Sequence, residues 1–446
     1  MTRSMRFLWN RDAYISLFWL LIMQVIVALS TYLIATSMKY IESDLDTTYF
    51  YMMLFVVSLF LVYFPSAISS IYLEKWKISA QKRFILGFTS LNFGKRSLDR
   101  QKNKDEHEGW VTTESMLLYG EAPESIYSIF GTVLNTLLSI IIVSMILDIS
   151  ILLWYVLAIF LVVGIKILSK DKIAANAKLV QGKRNAVISV LSRMWVNTIS
   201  GSPKTFKNWQ QGYLKNTYVW KKKAAQNELF LMGVSSVSAM LALAFICAGN
   251  ALYLLSLSSA EAIAVFLVTL PRQVQIMQNT FMFFNHYLRW KGVAHKLSNL
   301  DQHLELESED TSQYINLENI SINGNQFDSI DEIKAYIQRQ PYGRYTIQGK
   351  NGAGKSTLLR RLVEGDKYVF VPSAFRDLEF SNLRDNTSSD GESVRKLFDS
   401  LHHVKEIDTL YLDEWDASLD IYNKAHMHAE VRELAEKKRI IEVVHG

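Results

Sequence analysis

The chain has 446 residues, a net charge of +5 and one cysteine, Cys247. A lone cysteine excludes an internal disulfide framework and a cysteine-rich metal centre, and reads as a small apolar packing residue. The charge matters more by its placement than by its size, and no nucleic-acid motif accompanies it.

Residues 1–297 carry long apolar runs, 298–313 form a polar linker, and 314–446 have the composition of an ordinary charged soluble domain. A bilayer core of about 30 Å takes roughly 20 apolar residues in a helix, because every backbone group must be satisfied within the segment. Six segments approach that length: 13–36, 49–73, 126–147, 151–168, 229–255 and 262–284. The last turns polar after Pro271, with Arg272, Gln273, Gln275, Gln278 and Asn279. Such residues are costly against lipid, so this half is expected to line a wet cavity or to leave the membrane.

Basic residues set the expected orientation. Arg3, Arg6 and Arg11 precede the first span, and Lys75, Lys77, Lys82, Arg83, Lys95, Arg96 and Arg100 follow the second. The segment between spans four and five ends in Lys221, Lys222 and Lys223, read as a juxtamembrane anchor. The opposite connectors are acidic or uncharged: Lys39 faces Glu42, Asp44 and Asp46, and 148–150 contains neither Lys nor Arg. Both termini are therefore expected in the cytoplasm of a multi-pass protein of a bacterial inner or plasma membrane. The long segments 74–125 and 169–228 need structure of their own. Helical spacing within 185–196 predicts that the spans continue as helices beyond the membrane.

In the soluble part, Gly349, Lys350, Asn351, Gly352, Ala353, Gly354, Lys355, Ser356 and Thr357 fit a phosphate-binding loop in full. Glycines let backbone amides approach phosphate where a Cβ would obstruct. Lys355 would neutralise the β- and γ-phosphates, Ser356 would ligate Mg²⁺, and a helix starting near Lys355 would point its positive end at the anion. The β-prone 345–348 precedes the loop. A second apolar run, 409–412, ends in Asp413 and Glu414, which suits a Mg²⁺ partner followed by a base that polarises water. The pairs His402–His403 and His426–His428 lack a third ligand at useful spacing and read as solvated faces.

The run Asp413-Glu-Trp-Asp-Ala-Ser-Leu-Asp420 resembles the Walker B and D-loop segment of ATP-binding cassette proteins, and Ile441-Glu-Val-Val-His445 resembles their switch strand. Six spans followed by such a cassette resemble a half-size exporter-fold (type IV) transporter of that family. The resemblance implies a six-helix transmembrane domain followed by an α/β P-loop ATPase domain, with ATP and Mg²⁺ as cofactors. It makes Glu414 the catalytic base, Asp420 the contact across a dimer and His445 the γ-phosphate sensor. The signature motif is represented by Ser388-Ser389-Asp390-Gly391-Glu392, which keeps Ser389 and Gly391 but brings a carboxylate near an anion. Ser373 replaces the expected glutamine, the helical subdomain is largely deleted, and Phe327 is the candidate for the adenine-stacking aromatic.

The expected activity is ATP-driven export of a peptide or other amphipathic substrate by a dimer of two transporter halves in a lipid bilayer. A homodimer is favoured over a heterodimer. A hydrolysis-poor subunit of a heterodimer and a nucleotide-gated channel or regulatory membrane protein stay open as alternatives.

Overall fold

The computed structural model describes residues 2–98, 101–256, 259–308, 310–373, 395, 396, 398, 407–417, 419 and 421–444. The chain forms two compact units, one of Met1–Phe88 with Trp110–Leu304, the other of Thr89–Gly109 with Glu305–Gly446. The segment 89–109, which the sequence reading keeps with the membrane helices, groups with the second unit.

The first unit is helical. A short α1 (Arg3–Arg6) leads to α2 (Arg11–Lys39), α3 (Leu45–Leu61) and α4 (Tyr63–Asn92). After α5 (Gln101–Gly109), which belongs to the second unit, come α6 (Ser115–Ile146), α7 (Ser150–Leu191), α8 (Pro203–Ser256) and α9 (Ala260–Leu300). Six stretches among the described residues are long and apolar enough to cross a membrane, α3 and α4 together forming one of them. Side-chain caps start three of the helices. Asn10 accepts from the Ala13 amide at 3.0 Å, Asp44 from Thr47 at 3.2 Å and Ser259 from Ala262 at 3.2 Å, each satisfying a donor that the first turn leaves open.

The helices run past the apolar stretches, α7 to Leu191 and α8 from Pro203, with a π-turn at Val196–Ser200 between them. Helix α7 packs along α8, α6 along α9, and α2 against α3, α6 and α9. Ile140, Val143, Tyr155, Val162, Ile246 and Ile276 form a core between α6, α7, α8 and α9. Helices α2 and α4 meet through reciprocal bonds, Ser16 Oγ to Ser69 O at 2.9 Å and Ser69 Oγ to Ser16 O at 2.8 Å. Small residues of this kind allow helices to approach closely in lipid. Phe60, Leu168 and Leu255 stay exposed, as expected of faces whose solvent is hydrocarbon. Cys247 lies on such an exposed face of α8, so it is not the packing residue that the sequence suggests.

Pro271 does not end α9, which continues to Leu300. The polar half that follows is divided by helix geometry. Arg272 and Gln273 are buried in the bundle, Gln275 and Gln278 are exposed, and Asn279 reaches inward. Its side-chain amide donates to Asn135 at 2.6 Å, and Asn135 donates to Gln24 at 2.6 Å, giving a polar thread through α9, α6 and α2.

The second unit contains a five-stranded mixed sheet among the described residues. Its strands are β1 (Ile320–Ile322), β2 (Gly343–Gly349), β3 (Tyr368–Val371), β4 (Thr409–Asp413) and β5 (Arg439–Val443), in the order β1-β2-β5-β4-β3. Only β1 is antiparallel to its neighbour. Helices α10 (Ile330–Gln338) and α11 (Lys355–Arg361) cover one face, with Ile337, Leu358, Leu359, Tyr411 and Ile441 between them. Helix α12 (Ile421–Ala435) covers the other over Leu410, Leu412, Val431 and Ile440. Two covered faces explain why β4 is a continuous apolar run rather than an alternating one. The stretch 298–313, read as a linker, holds the end of α9, a turn at Asp301–His303 and the start of another at Ser312–Tyr314.

Candidate nucleotide site

Parallel pairing brings three strand ends together. Ile347 and Asp413 both lie opposite Val443, so the loops after β2 and β4 leave the same edge of the sheet. Ligands of open α/β sheets bind in crevices at such carboxyl ends.

The loop after β2 folds as it does because of its glycines. At Gly349 φ is +156°, and a Cβ would sit 2.2 Å from the Asn319 carbonyl oxygen. At Gly354, where φ is +90°, it would sit 2.2 Å from the Tyr314 carbonyl oxygen. No side chain fits either position. The Ala353 amide donates to Lys350 O at 3.1 Å, and the Asn316 amide to Ala353 O at 3.0 Å, fixing the loop against the segment before β1. Helix α11 starts at Lys355, and the first amides of a helix have no intrahelical acceptor. Lys355 is 7% exposed and donates Nζ to the Gly349 carbonyl at 2.7 Å.

The loop borders a cavity of about 760 Å³, whose wall includes Lys350, Asn351, Gly352, Gly354, Lys355, Ser356 and Thr357. Glu414 joins this wall from the end of β4. Its backbone is left-handed, with φ +49°, and its amide donates to Val443 O at 3.1 Å. A non-glycine residue in that region costs about 1–3 kcal/mol, a strain that clusters at functional sites. Asp413 is 2% exposed and lies 3.4 Å, through Oδ2, from Arg360 Nη2 of α11. Asp413 does not line the cavity, and Ala353 turns into the core below it.

The structure thus unites Gly349, Lys350, Asn351, Gly352, Gly354, Lys355, Ser356 and Thr357 with Glu414, and sets Asp413 behind them. Ser373 stands beyond β3 and Pro372. Ser389, Gly391, Asp420 and His445 lie outside the described residues, as does the His402–His403 pair.

Phe327, the candidate adenine-stacking aromatic, does not line the cavity: it is half-buried and packs on Tyr336, ring centroids 5.2 Å apart, against the core under α10. The aromatic beside the loop is Tyr314, 49% exposed and lining the cavity. It precedes β1, and its only trace in the sequence is a single aromatic within a polar stretch. Nearby, Asp310 bonds Ser312 and pairs with Arg361 at 2.9 Å; the Ser312 bonds first, then Arg361, hold its carboxyl below the ordinary range. Burial pushes the Tyr411 hydroxyl upward, and it donates to Leu362 O at 2.9 Å.

Behind the site, Glu442 of β5 is wholly buried and receives Arg344 Nε at 2.7 Å, Thr346 Oγ1 at 2.8 Å and Trp415 Nε1 at 3.3 Å. His428 belongs to this network, with Nδ1 2.6 Å from Arg344 Nη2 and Nε2 3.3 Å from Asp416. It is therefore not on the solvated face that its sequence context suggests. No group of three or more metal-ligating side chains forms among the described residues.

Compared with known proteins, the chain matches no family model and no curated protein.

Proposed function

We propose that the chain is one half of an ATP-driven membrane transporter of the exporter fold, with a reduced ATP-binding cassette at its cytoplasmic end. The observation that carries this reading is the cavity bordered by seven residues of the loop and by Glu414, in a chain with six membrane-length helices among the described residues. The left-handed backbone at Gly352 and Gly354, with no room for a side chain at Gly354, supports reading the loop as a backbone cradle of the kind phosphate needs. Lys355 would carry the charge for β- and γ-phosphates, and Tyr314 would stack on the base. Ser356 and Asp413 supply the hard oxygen donors that suit Mg²⁺. Bound Mg²⁺ would neutralise charge developing on the phosphates. Glu414, on the cavity wall, would accept the proton of the attacking water.

The Lys and Arg distribution supports cytoplasmic termini in a bacterial inner or plasma membrane. Two chains would assemble as a homodimer and move a peptide or other amphipathic substrate outward. ATP must favour the closed state for coupling to exist. The test is ATPase activity of the purified protein in lipid. Lys355→Ala should abolish nucleotide binding, while Glu414→Gln should keep binding and lower turnover by about 10²–10⁴-fold. Activity that survives both substitutions would falsify the assignment.

One observation favours a second reading, a hydrolysis-poor subunit of a heterodimer. Arg360 already sets a cation beside Asp413, the carboxylate expected to serve Mg²⁺. On that reading Arg360→Gln raises turnover, and the wild-type chain is recovered with a different, catalytically complete half.

A further inference from the structure

The six apolar segments contain no Asp or Glu, and their only charged residues are Lys166 and Arg272. Lys166 is served within the bundle. It donates to Ser235 and lies over the Phe284 ring at 5.3 Å from the centroid. Arg272 is not. It is only 7% exposed, and its Nη1 donates to Gln275 at 2.6 Å. Nε and Nη2 are buried and meet no acceptor among the described residues. The neighbouring Gln273 is occupied elsewhere, donating to Thr269 at 3.3 Å and accepting from Asn250 at 2.6 Å.

An arginine stays protonated, and ionised groups within the membrane pair with an opposite charge or with buried acceptors, as Lys166 does with Ser235. The six apolar segments of a second copy of this chain would bring the same two cations and no carboxylate. At 1.5 Å per residue Arg272 lies roughly 18 Å along α9 from Ala260, near the middle of a hydrocarbon core about 30 Å thick. It is turned into the bundle, beyond reach of the headgroup layer on a lipid-facing side. An anionic group on a molecule that enters the bundle would satisfy both donors.

We propose that Arg272 is the anion-recognition residue of the membrane unit, and that it receives a carboxylate or phosphate carried on an apolar molecule. This rests on reading the chain as a transporter, and names the class of its substrate: an amphipath with an anionic head. Guanidinium suits either anion, since two parallel N–H donors match two oxygens. Gln275 holds the third donor and orients the fork.

The test uses the full-length protein in phosphatidylcholine nanodiscs, with dodecanoate, dodecyl phosphate and dodecyltrimethylammonium as probes and thermal unfolding as readout. The two anions should raise the unfolding temperature and the cation should not. Arg272→Gln should weaken anion binding about tenfold, and Arg272→Lys should restore part of it. Gln275→Glu sets a carboxylate beside the guanidinium; it should stabilise the protein without ligand and abolish the response to anions. Replacing part of the lipid by phosphatidylglycerol separates the sources. Competition with dodecanoate assigns the site to an anionic headgroup, and no competition assigns it to a free amphipath. Equal responses to anion and cation, or unchanged anion binding in both Arg272→Gln and Gln275→Glu, overturn the proposal. Nucleotide affinity is read in parallel on the same variants and on Lys355→Ala. Loss of the nucleotide result with anion selectivity intact removes the ATP-driven reading alone, and the reverse removes the subsite alone.

Discussion

At Gly354 the Tyr314 carbonyl occupies the space a Cβ would need, while at Gly352, with φ +82°, nothing lies within 4 Å. The two positions should therefore respond differently. Gly352→Ala should cost about 1 kcal/mol of backbone strain and weaken nucleotide binding only in part, since its Cβ enters the cavity rather than packed backbone. Gly354→Ala must displace a neighbouring strand of backbone as well, and should lose binding; titration with a fluorescent ATP analogue separates them. Tyr314→Ala should weaken nucleotide by about 1–3 kcal/mol if the ring stacks on the base, and Tyr314→Phe should not. A tyrosine whose removal leaves affinity unchanged is only a wall residue. The loop was legible in sequence because each of its residue types has a local task. Tyr314 was not, since its distance to the loop is set by the Asn316–Ala353 bond rather than by spacing. Asp310 gives a pH signature. Its folded pKa is below the ordinary 3.8, so its stabilising contribution is present above that value and is lost as pH falls through the lowered pKa. Asp310→Asn should remove this component from the acid-unfolding curve.

Between residues and the whole lie the strands, and here β5 decides the arrangement. The β-prone 345–348 and the apolar run 409–412 announce β2 and β4, but nothing local says that β5 inserts between them. That insertion is what sets the loop at 349–357 and Glu414 on one edge, because Ile347 and Asp413 share Val443 as partner. It also buries Glu442 among Arg344, Thr346 and Trp415. From sequence Glu442 looks like an ordinary strand acid, since its partners come from other elements. Arg344→Met leaves this carboxylate buried without its cation and should destabilise the unit by about 3 kcal/mol, read by denaturant unfolding. The double change Arg344→Met with Glu442→Leu should recover much of that loss, because no charge is then stranded. A single substitution without effect would mean that Thr346 and Trp415 alone satisfy Glu442. Trp415 and Asp416 follow Glu414 directly, so the single variant should also loosen the cavity wall and lower nucleotide affinity.

For the whole molecule, the six apolar stretches form helices of membrane length among the described residues, and the proposed orientation has a direct test. On a Cys247→Ser background, Ser43→Cys and Ser150→Cys should react with a membrane-impermeant maleimide in intact cells. Lys222→Cys should react only after permeabilisation; the opposite pattern inverts the topology. The sequence by itself determined the six apolar stretches and the glycine-rich turn at 349–357. Hydrophobic length and glycine placement are local requirements, written where they act. Only the tertiary structure decided that 89–109 belongs with the second unit, that Phe327 packs against the core while Tyr314 borders the cavity, and that His428 serves Arg344. These depend on which distant segments fold together, and composition carries no record of that. The glycines of 349–357 are thus local in origin, while the neighbours of that loop were supplied by strand order.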